Sequence, residues 1–268
     1  MDTALLEMKF TRIGSRLKFA EQSNRRGRTS GAISLNVRSD RTGEFFEVAC
    51  PPGAVGDVAV LDLQAADRHL LLLLREGQAK SKFLCGHDER HWFVAGIPES
   101  APVGTVRQAK EALKPLDVRQ VQSQHGLRAR AGERRKNAAF IRQGEWFFLP
   151  VGDILLDERL VLRNEPLTRG IGSKAHRAEY CYHTGGETVY VCSQYPAGVS
   201  PRNYDRILRE WPDAKLWNWR PMRRNPQVFV RGRIRHADHK TIMLHGWHRV
   251  LMNTENQSKA MRHVVFLD

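Results

Sequence analysis

Four histidines, His236, His239, His245 and His248, fall within RHADHKTIMLHGWHRV (235–250), in a chain of 268 residues with only 11 histidines. Imidazole titrates near neutral pH and also binds metals, so such a concentration offers two chemistries. In the first, two rings act as general base and general acid on either side of a ribose-phosphate, and a cation stabilises the charged oxygens. His236, His239 and Lys240, with His176 from GIGSKAH, supply those parts and are the candidate catalytic residues. In the second, the rings hold a divalent ion. Structural zinc sites show Cys/His pairs at short, recognisable spacings, and none is present. CGHDERH (Cys85, His87, His91) has a C-x-H-x3-H spacing without an evident fourth ligand. The expectation is a site without a cofactor, with zinc or another divalent metal as the alternative. Any one of these histidines, taken singly, also reads as the polar surface of a hairpin.

Either chemistry needs the rings to meet. On a regular strand His236 and His239 point to opposite faces, so they converge only if ADHK is a turn. His245 and His248 also differ in parity, and Gly246 between them suggests a bulge that would bring them together.

Charge narrows the partner. The chain carries 43 Lys and Arg against 29 Asp and Glu, a net charge of +14. The excess is local: residues 119–142 hold seven Lys/Arg and one acid, and residues 215–240 are similarly cationic. Such patches attract polyanions, either nucleic acid or an anionic membrane surface. Neither patch lies on an amphipathic helix with a wide apolar face, which favours nucleic acid and argues against a membrane. Arg231, Arg233 and Arg235 alternate on one face of QVFVRGRIRH, with Val230 and Ile234 on the other. Planar, permanently charged guanidinium forks at that spacing suit backbone phosphates. Arg220, Arg223 and Arg224 lie just upstream, and Arg134, Arg135 and Lys136 belong to the earlier cationic run. Trp217 and Trp219 share one side of an extended segment and can stack on unpaired bases. The competing reading buries tryptophans in the core, Trp211 above all. With no recognition helix, zinc finger or basic zipper, RNA or single-stranded nucleic acid is preferred over duplex DNA.

Several classes are excluded. TRGIGSK contains G-x-G, but without the remaining spacing of a P-loop or dinucleotide fingerprint. There is no G-x-S-x-G, H-E-x-x-H or kinase set. The longest apolar run, Leu70 to Leu74, is too short to cross a bilayer, and the first residues lack the apolar stretch of a secretory signal. The expectation is a cytoplasmic protein whose four cysteines, which form no C-x-x-C pair, stay reduced.

The elements that must position these residues read as mainly β (α+β): two β-rich sheets or barrel-like halves with two or three short helices. A β-rich domain spans 1–118, a basic linker or loop 119–142, and a second β-rich domain with the Arg/His strands 143–268. GAISLNV and EFFEVACPP read as strands, and VAVLDLQ, HLLLLLREG and SKFLCGHDERHWFVAGIPE continue the pattern, with Gly, Pro and Asp supplying the breaks. Thr105 caps a helix that ends at Pro115, and Ser200 with Pro201 starts another. HTGGET reads as a Gly-Gly hairpin joining AEYCYH to TVYVCS, with Cys181 and Cys192 across from each other.

Residues 140–255 resemble a pattern seen in uncharacterised bacterial proteins. It consists of a QGE strand opening (Gln143, Gly144, Glu145), a G-x-x-x-H (Gly172 to His176) and an H-x-x-H before a strand (His236, His239). The resemblance implies no activity. What it adds is a reason to consider His176, His236 and His239 together. The functional expectation is a nucleic-acid-binding protein. The alternatives are a nuclease working through the histidines, and a protein partner within a larger ribonucleoprotein or defence assembly.

Overall fold

The structure, a computed structural model, describes residues 3–21, 33–50, 57–168 and 174–259. The NRRGR run, the middle of TRGIGSK and the closing HVVFLD lie outside the described residues.

The leucine-rich HLLLLLRE forms strand β5 (His69–Glu76), and its burial explains the first half. It is the second strand of an antiparallel sheet in the order β4 (Val58–Gln64), β5, β6 (Ala79–Asp88), β7 (His91–Gly96). Successive side chains on a strand point to opposite faces, and here both faces are covered. Leu70, Leu72 and Leu74 pack with Phe46, Val48 and Leu35 of a three-stranded sheet and with Leu6 and Phe10 of helix α1 (Thr3–Arg12). That sheet has the order β1 (Leu17–Glu21), β3 (Gly43–Cys50), β2 (Ser34–Asp40), with β1 and β3 parallel. On the opposite face Leu71 meets Val106, Ala109 and Leu113 of helix α2 (Val106–Ala112) and its C-cap. The expected Thr105 cap is present, and Gln108 completes a capping box.

The expected linker is not a loop. It folds as helices α3 (Leu116–Gln124) and α4 (Ala129–Gly132). Their faces are mostly polar, so periodicity is weak, yet Val118 is fully buried against Phe140, Phe147 and Leu149. With α5 (Pro201–Glu210, capped by Ser200 as expected), the described residues hold five α-helices rather than two or three.

The second half is a six-stranded antiparallel sheet in the order β10 (Leu162–Leu167), β11 (His176–Thr184), β14 (Gln227–Arg235), β15 (Ile242–Met252), β9 (Trp146–Pro150), β8 (Ile141–Gln143). TIMLHGWHRVLM is one long strand rather than two, with a register shift where Gly246 takes a positive φ. The expected Gly-Gly hairpin does not form. β11 pairs with β14, and the chain runs on into β12 (Glu187–Val191), which pairs with β13 (Arg220–Arg224). The register is continuous: Thr184 faces Gln227, and beyond the kink at Gly185–Gly186 and Asn225–Pro226, Glu187 faces Arg224. Residues 187–224 are thus a two-stranded arm extending the β11–β14 ladder, with α5 and a 3₁₀ turn (Pro212–Leu216) at its tip. A Cβ on Gly186 would lie 2.7 Å from the Arg224 carbonyl oxygen, so the kink needs glycine there. Cys181 and Cys192 are therefore not across a hairpin, and all four cysteines are free and buried.

Candidate metal centre

Two segments of the second half deliver three imidazoles to one point. His176 opens β11, His236 follows the last residue of β14, and His239 lies in the turn before β15. ADHK does turn, and the ring centroids lie 4.2 Å (His176–His236), 5.5 Å (His176–His239) and 4.7 Å (His236–His239) apart. One donor atom from each ring lies within 4.8 Å of the others, a group that can hold a metal ion.

The β8–β9 turn closes the group. Gly144 has φ +56°, and a Cβ there would sit 3.1 Å from His239 Nε2 and 3.7 Å from His176 Nε2. Only glycine lets the turn lie against the rings without strain. Gln143, fully buried, fastens this turn to the histidine turn by donating from Nε2 to the Lys240 carbonyl (2.7 Å).

The first half contributes Glu89. It sits in the β6–β7 turn at φ +44°, a left-handed conformation that costs a non-glycine residue about 1–2 kcal/mol. Its carboxylate is tied down from three directions. Oε2 accepts from the Lys240 backbone N–H (3.0 Å), Oε1 pairs with Arg135 (2.6 Å), and Oε2 lies 3.6 Å from His239 Nδ1. The carboxylate thus stands behind Nδ1 at ion-pair distance without a hydrogen bond to it, on the side where metal-binding histidines commonly have a carboxylate.

Protonation states follow from burial. His176 is 1% exposed, and burial together with the neighbouring His236 and His239 pushes its pKa down to about 3. Burial also lowers His236, where His239 adds to the effect, and lowers His239, where Glu89 and Glu145 oppose it. All three rings are neutral at pH 7, the form that donates to metals. His236 is the most committed of them. Its Nδ1 accepts from the Asp238 N–H (3.1 Å) and its Nε2 donates to the Lys174 carbonyl (3.3 Å), so ligation would require one of these bonds to yield.

Unmet hydrogen bonding is concentrated here. The buried side-chain atoms without a hydrogen-bond partner among the described residues belong to Arg142, Gln143, Trp146, His176 and His239 (Nδ1), together with Asp88 Oδ1, which is ion-paired with Arg135. Both nitrogens of His176 are among them. Buried polar atoms are satisfied as a rule, so the two unpartnered nitrogens of His176 stand out. A cavity of about 850 Å³ opens over the group, between the two halves, lined by His236, His239, Glu145, Lys174, Asp238 and, from the first half, His87 and His91. Its size falls within the range of small-molecule sites.

No protein family matches the chain, and neither a curated protein nor a solved structure matches it.

Of the expected catalytic residues, His176, His236 and His239 come together. Lys240 contributes its backbone, while its side chain is exposed and Lys174 lines the cavity instead. His245 is exposed and His248 is buried with Nδ1 against the Gly246 carbonyl (3.1 Å), so the bulge does not add them to the group. Cys85 is buried in the first core, His87 packs on the Trp92 ring, and His91 bonds Glu44 (2.6 Å), so C-x-H-x3-H does not converge. Among the expected nucleic-acid contacts, Arg233 and Arg235 are exposed, but Glu179 of β11 pairs with Arg233 (3.1 Å). The face that reads as free of acids from β14 alone thus receives one from its neighbour. Arg231 lies over the rings of Tyr180 and Trp247. Arg135 turns inward to Asp88 and Glu89, whereas Arg134 and Lys136 are exposed. Arg220 and Arg223 are exposed on the arm, and Arg224 donates to the Ala197 and Gly198 carbonyls (2.8 Å each). Trp217 and Trp219 are half-buried and stacked at 6.1 Å, while Trp211, expected in the core, is 62% exposed. Glu89 and Glu145 were not singled out from sequence. Glu145 stands in QGE, but nothing local connects Glu89 to residues 150 positions away.

Proposed function

We propose that the protein is a metal-dependent phosphodiesterase acting on nucleic acid at the His176–His236–His239 centre. The observation that carries this reading is the convergence of three neutral imidazoles amid buried polar atoms that have no hydrogen bonds. It favours a metal over paired acid–base histidines on grounds of space. A base and an acid acting on opposite sides of a phosphate need nitrogens roughly 8 Å apart, given ordinary hydrogen-bond lengths on each side. Ring centroids 4.2–5.5 Å apart leave no room for that. A tetrahedral zinc-class ion needs its nitrogens about 3.3 Å apart, which donors within 4.8 Å reach by a small inward turn.

His176 and His239 would be the firm ligands and His236 the third. The ion supplies Lewis acidity and lowers the pKa of water. In the reaction water adds to phosphorus, the phosphorus–oxygen ester bond breaks, and its electron pair leaves on the departing oxygen. Glu145, in the cavity wall beside His236 and His239, takes the proton that water loses, and the departing oxygen gains one from solvent. The net charge of +14 supports a polyanionic substrate.

The test is cleavage of end-labelled single-stranded RNA and DNA by purified full-length protein, with chelator and with zinc or manganese restored. Chelator-sensitive cleavage that falls ~100-fold or more in His176→Ala and His239→Ala, with substrate binding retained, is expected. Cleavage indifferent to chelator would remove the metal. A mobility shift without cleavage under any metal would make the protein a binding module.

A further inference from the structure

The two-stranded arm has a composition unlike the rest of the molecule. Between Glu187 and Arg224 every aromatic residue is Tyr or Trp: Tyr190, Tyr195, Tyr204, Trp211, Trp217 and Trp219. The segment contains no Phe, although the chain has 11, and both main cores use Phe. Tyr and Trp combine a broad ring with a polar edge, and they serve surfaces that meet a partner in water better than they serve a dry core.

The rings form a continuous series. Tyr190 stacks on Tyr204 (3.9 Å), and Tyr204 meets Trp219 edge-on (5.0 Å). Trp219 stacks with Tyr195 (5.7 Å) and Trp217 (6.1 Å), and Trp217 meets Trp211 edge-on (6.3 Å). The inner members hold the tip together, with Trp219 Nε1 donating to the Ala214 carbonyl (2.8 Å). The outer end is open: Trp211 is 62% exposed and Tyr195 37%, beside Leu216 at 81%. The arm carries exposed cations along its length: Arg202, Arg206 and Arg209 on α5, Lys215 in the 3₁₀ turn, and Arg220 and Arg223 on β13, with Arg223 toward the kink. The arm holds seven Lys/Arg against four Asp/Glu, a net charge of +3.

We propose that this arm takes up single-stranded nucleic acid, with bases stacking at the Trp211–Tyr195 end and the backbone held by Arg220 and Arg223. The inference rests on the nucleic-acid part of the proposed function but not on its metal. Stacking selects single strands, because a duplex hides the faces of its bases, and the exposed guanidinium groups along the arm suit phosphates. An acidic protein would match the charge but gives no reason for open π faces.

The experiment measures binding of fluorescein-labelled dT20 and rU20, and of a 20-base-pair duplex, to full-length protein across a salt series. Trp211→Ala and Arg220→Gln/Arg223→Gln are suitable variants, since the Trp211 ring meets Trp217 edge-on and Arg223 gives up one long bond, to the Gly186 carbonyl (3.4 Å). Circular dichroism and zinc affinity of the variants verify that the fold and the histidine centre are intact. Trp211→Ala should weaken dT20 and rU20 binding ~10-fold while affecting the duplex little. Arg220→Gln/Arg223→Gln should make the log–log salt slope shallower by about 1.4. Wild-type binding that the variants leave unchanged overturns the arm and spares the proposed function. Equal losses for duplex and single strand overturn the stacking. No binding of either oligonucleotide by wild type overturns both this inference and the nucleic-acid reading.

Discussion

His176 is a buried imidazole surrounded by two others, and its titration ties the centre to stability. Its folded-state pKa, about 3, lies below the ordinary value of 6.5, so between those limits the unfolded chain binds more protons than the folded one. The stabilisation is complete above pH 6.5 and is lost progressively as pH falls toward 3. His236 and His239 shift in the same direction and add to it. From pH 7 to pH 5, His176 alone accounts for about 2 kcal/mol. Urea denaturation at the two pH values should show that loss for the wild type and a smaller one for His176→Gln. Equal losses would mean that the ring is solvated in the folded state.

The β8–β9 turn holds a different kind of constraint, in which backbone shape sets side-chain position. Gly144→Ala places a methyl group 3.1 Å from His239 Nε2 and a Cβ in a left-handed residue. The strain alone should cost about 1–2 kcal/mol in stability. The displaced ring should also weaken zinc binding, measured by competition with a chromophoric chelator. A loss of stability with unchanged zinc affinity would place the ion away from Nε2. The ADHK turn was readable from its local residues, as were most strands of the first half, whereas QGE, which reads as a strand opening, is the turn between β8 and β9. The arm was not readable. Gly-Gly between alternating segments looks the same whether the chain doubles back or continues through a kink, and only pairing with residues 220–235 decides between them. The helices of 116–132 escaped notice for a related reason, since Val118 and Gln122 are their main inward residues and a polar helix carries little periodicity.

At the scale of the whole molecule, the histidines belong to the second half and the carboxylate behind His239 to the first. The same boundary is joined elsewhere by the Thr254 hydroxyl donating to the Ala112 carbonyl (2.8 Å) and by Ser258 donating to the Ile97 carbonyl (2.8 Å). Glu89→Gln keeps the size and the bond from the Lys240 N–H but removes the charge facing His239 and Arg135. Zinc affinity should fall ~10–100-fold with little change in the global fold. Unchanged affinity would show that His239 is oriented by its own turn alone. No helix among the described residues is long and apolar enough to cross a membrane.

The unbroken register through the arm has a consequence for how the molecule can be taken apart. Because Thr184 and Gln227 already face each other, the two strands could be closed there by a two-residue Asn-Gly turn, leaving a plain β11–β14 hairpin in the six-stranded sheet. Both sheet cores and all three histidines lie outside the excised stretch. The architecture is that of an insertion: a self-contained body with a graft at one hairpin tip, a position where chains accept added segments readily. A shorter chain is thus nested within this one, keeping both sheet cores and the three histidines and lacking only the appendage.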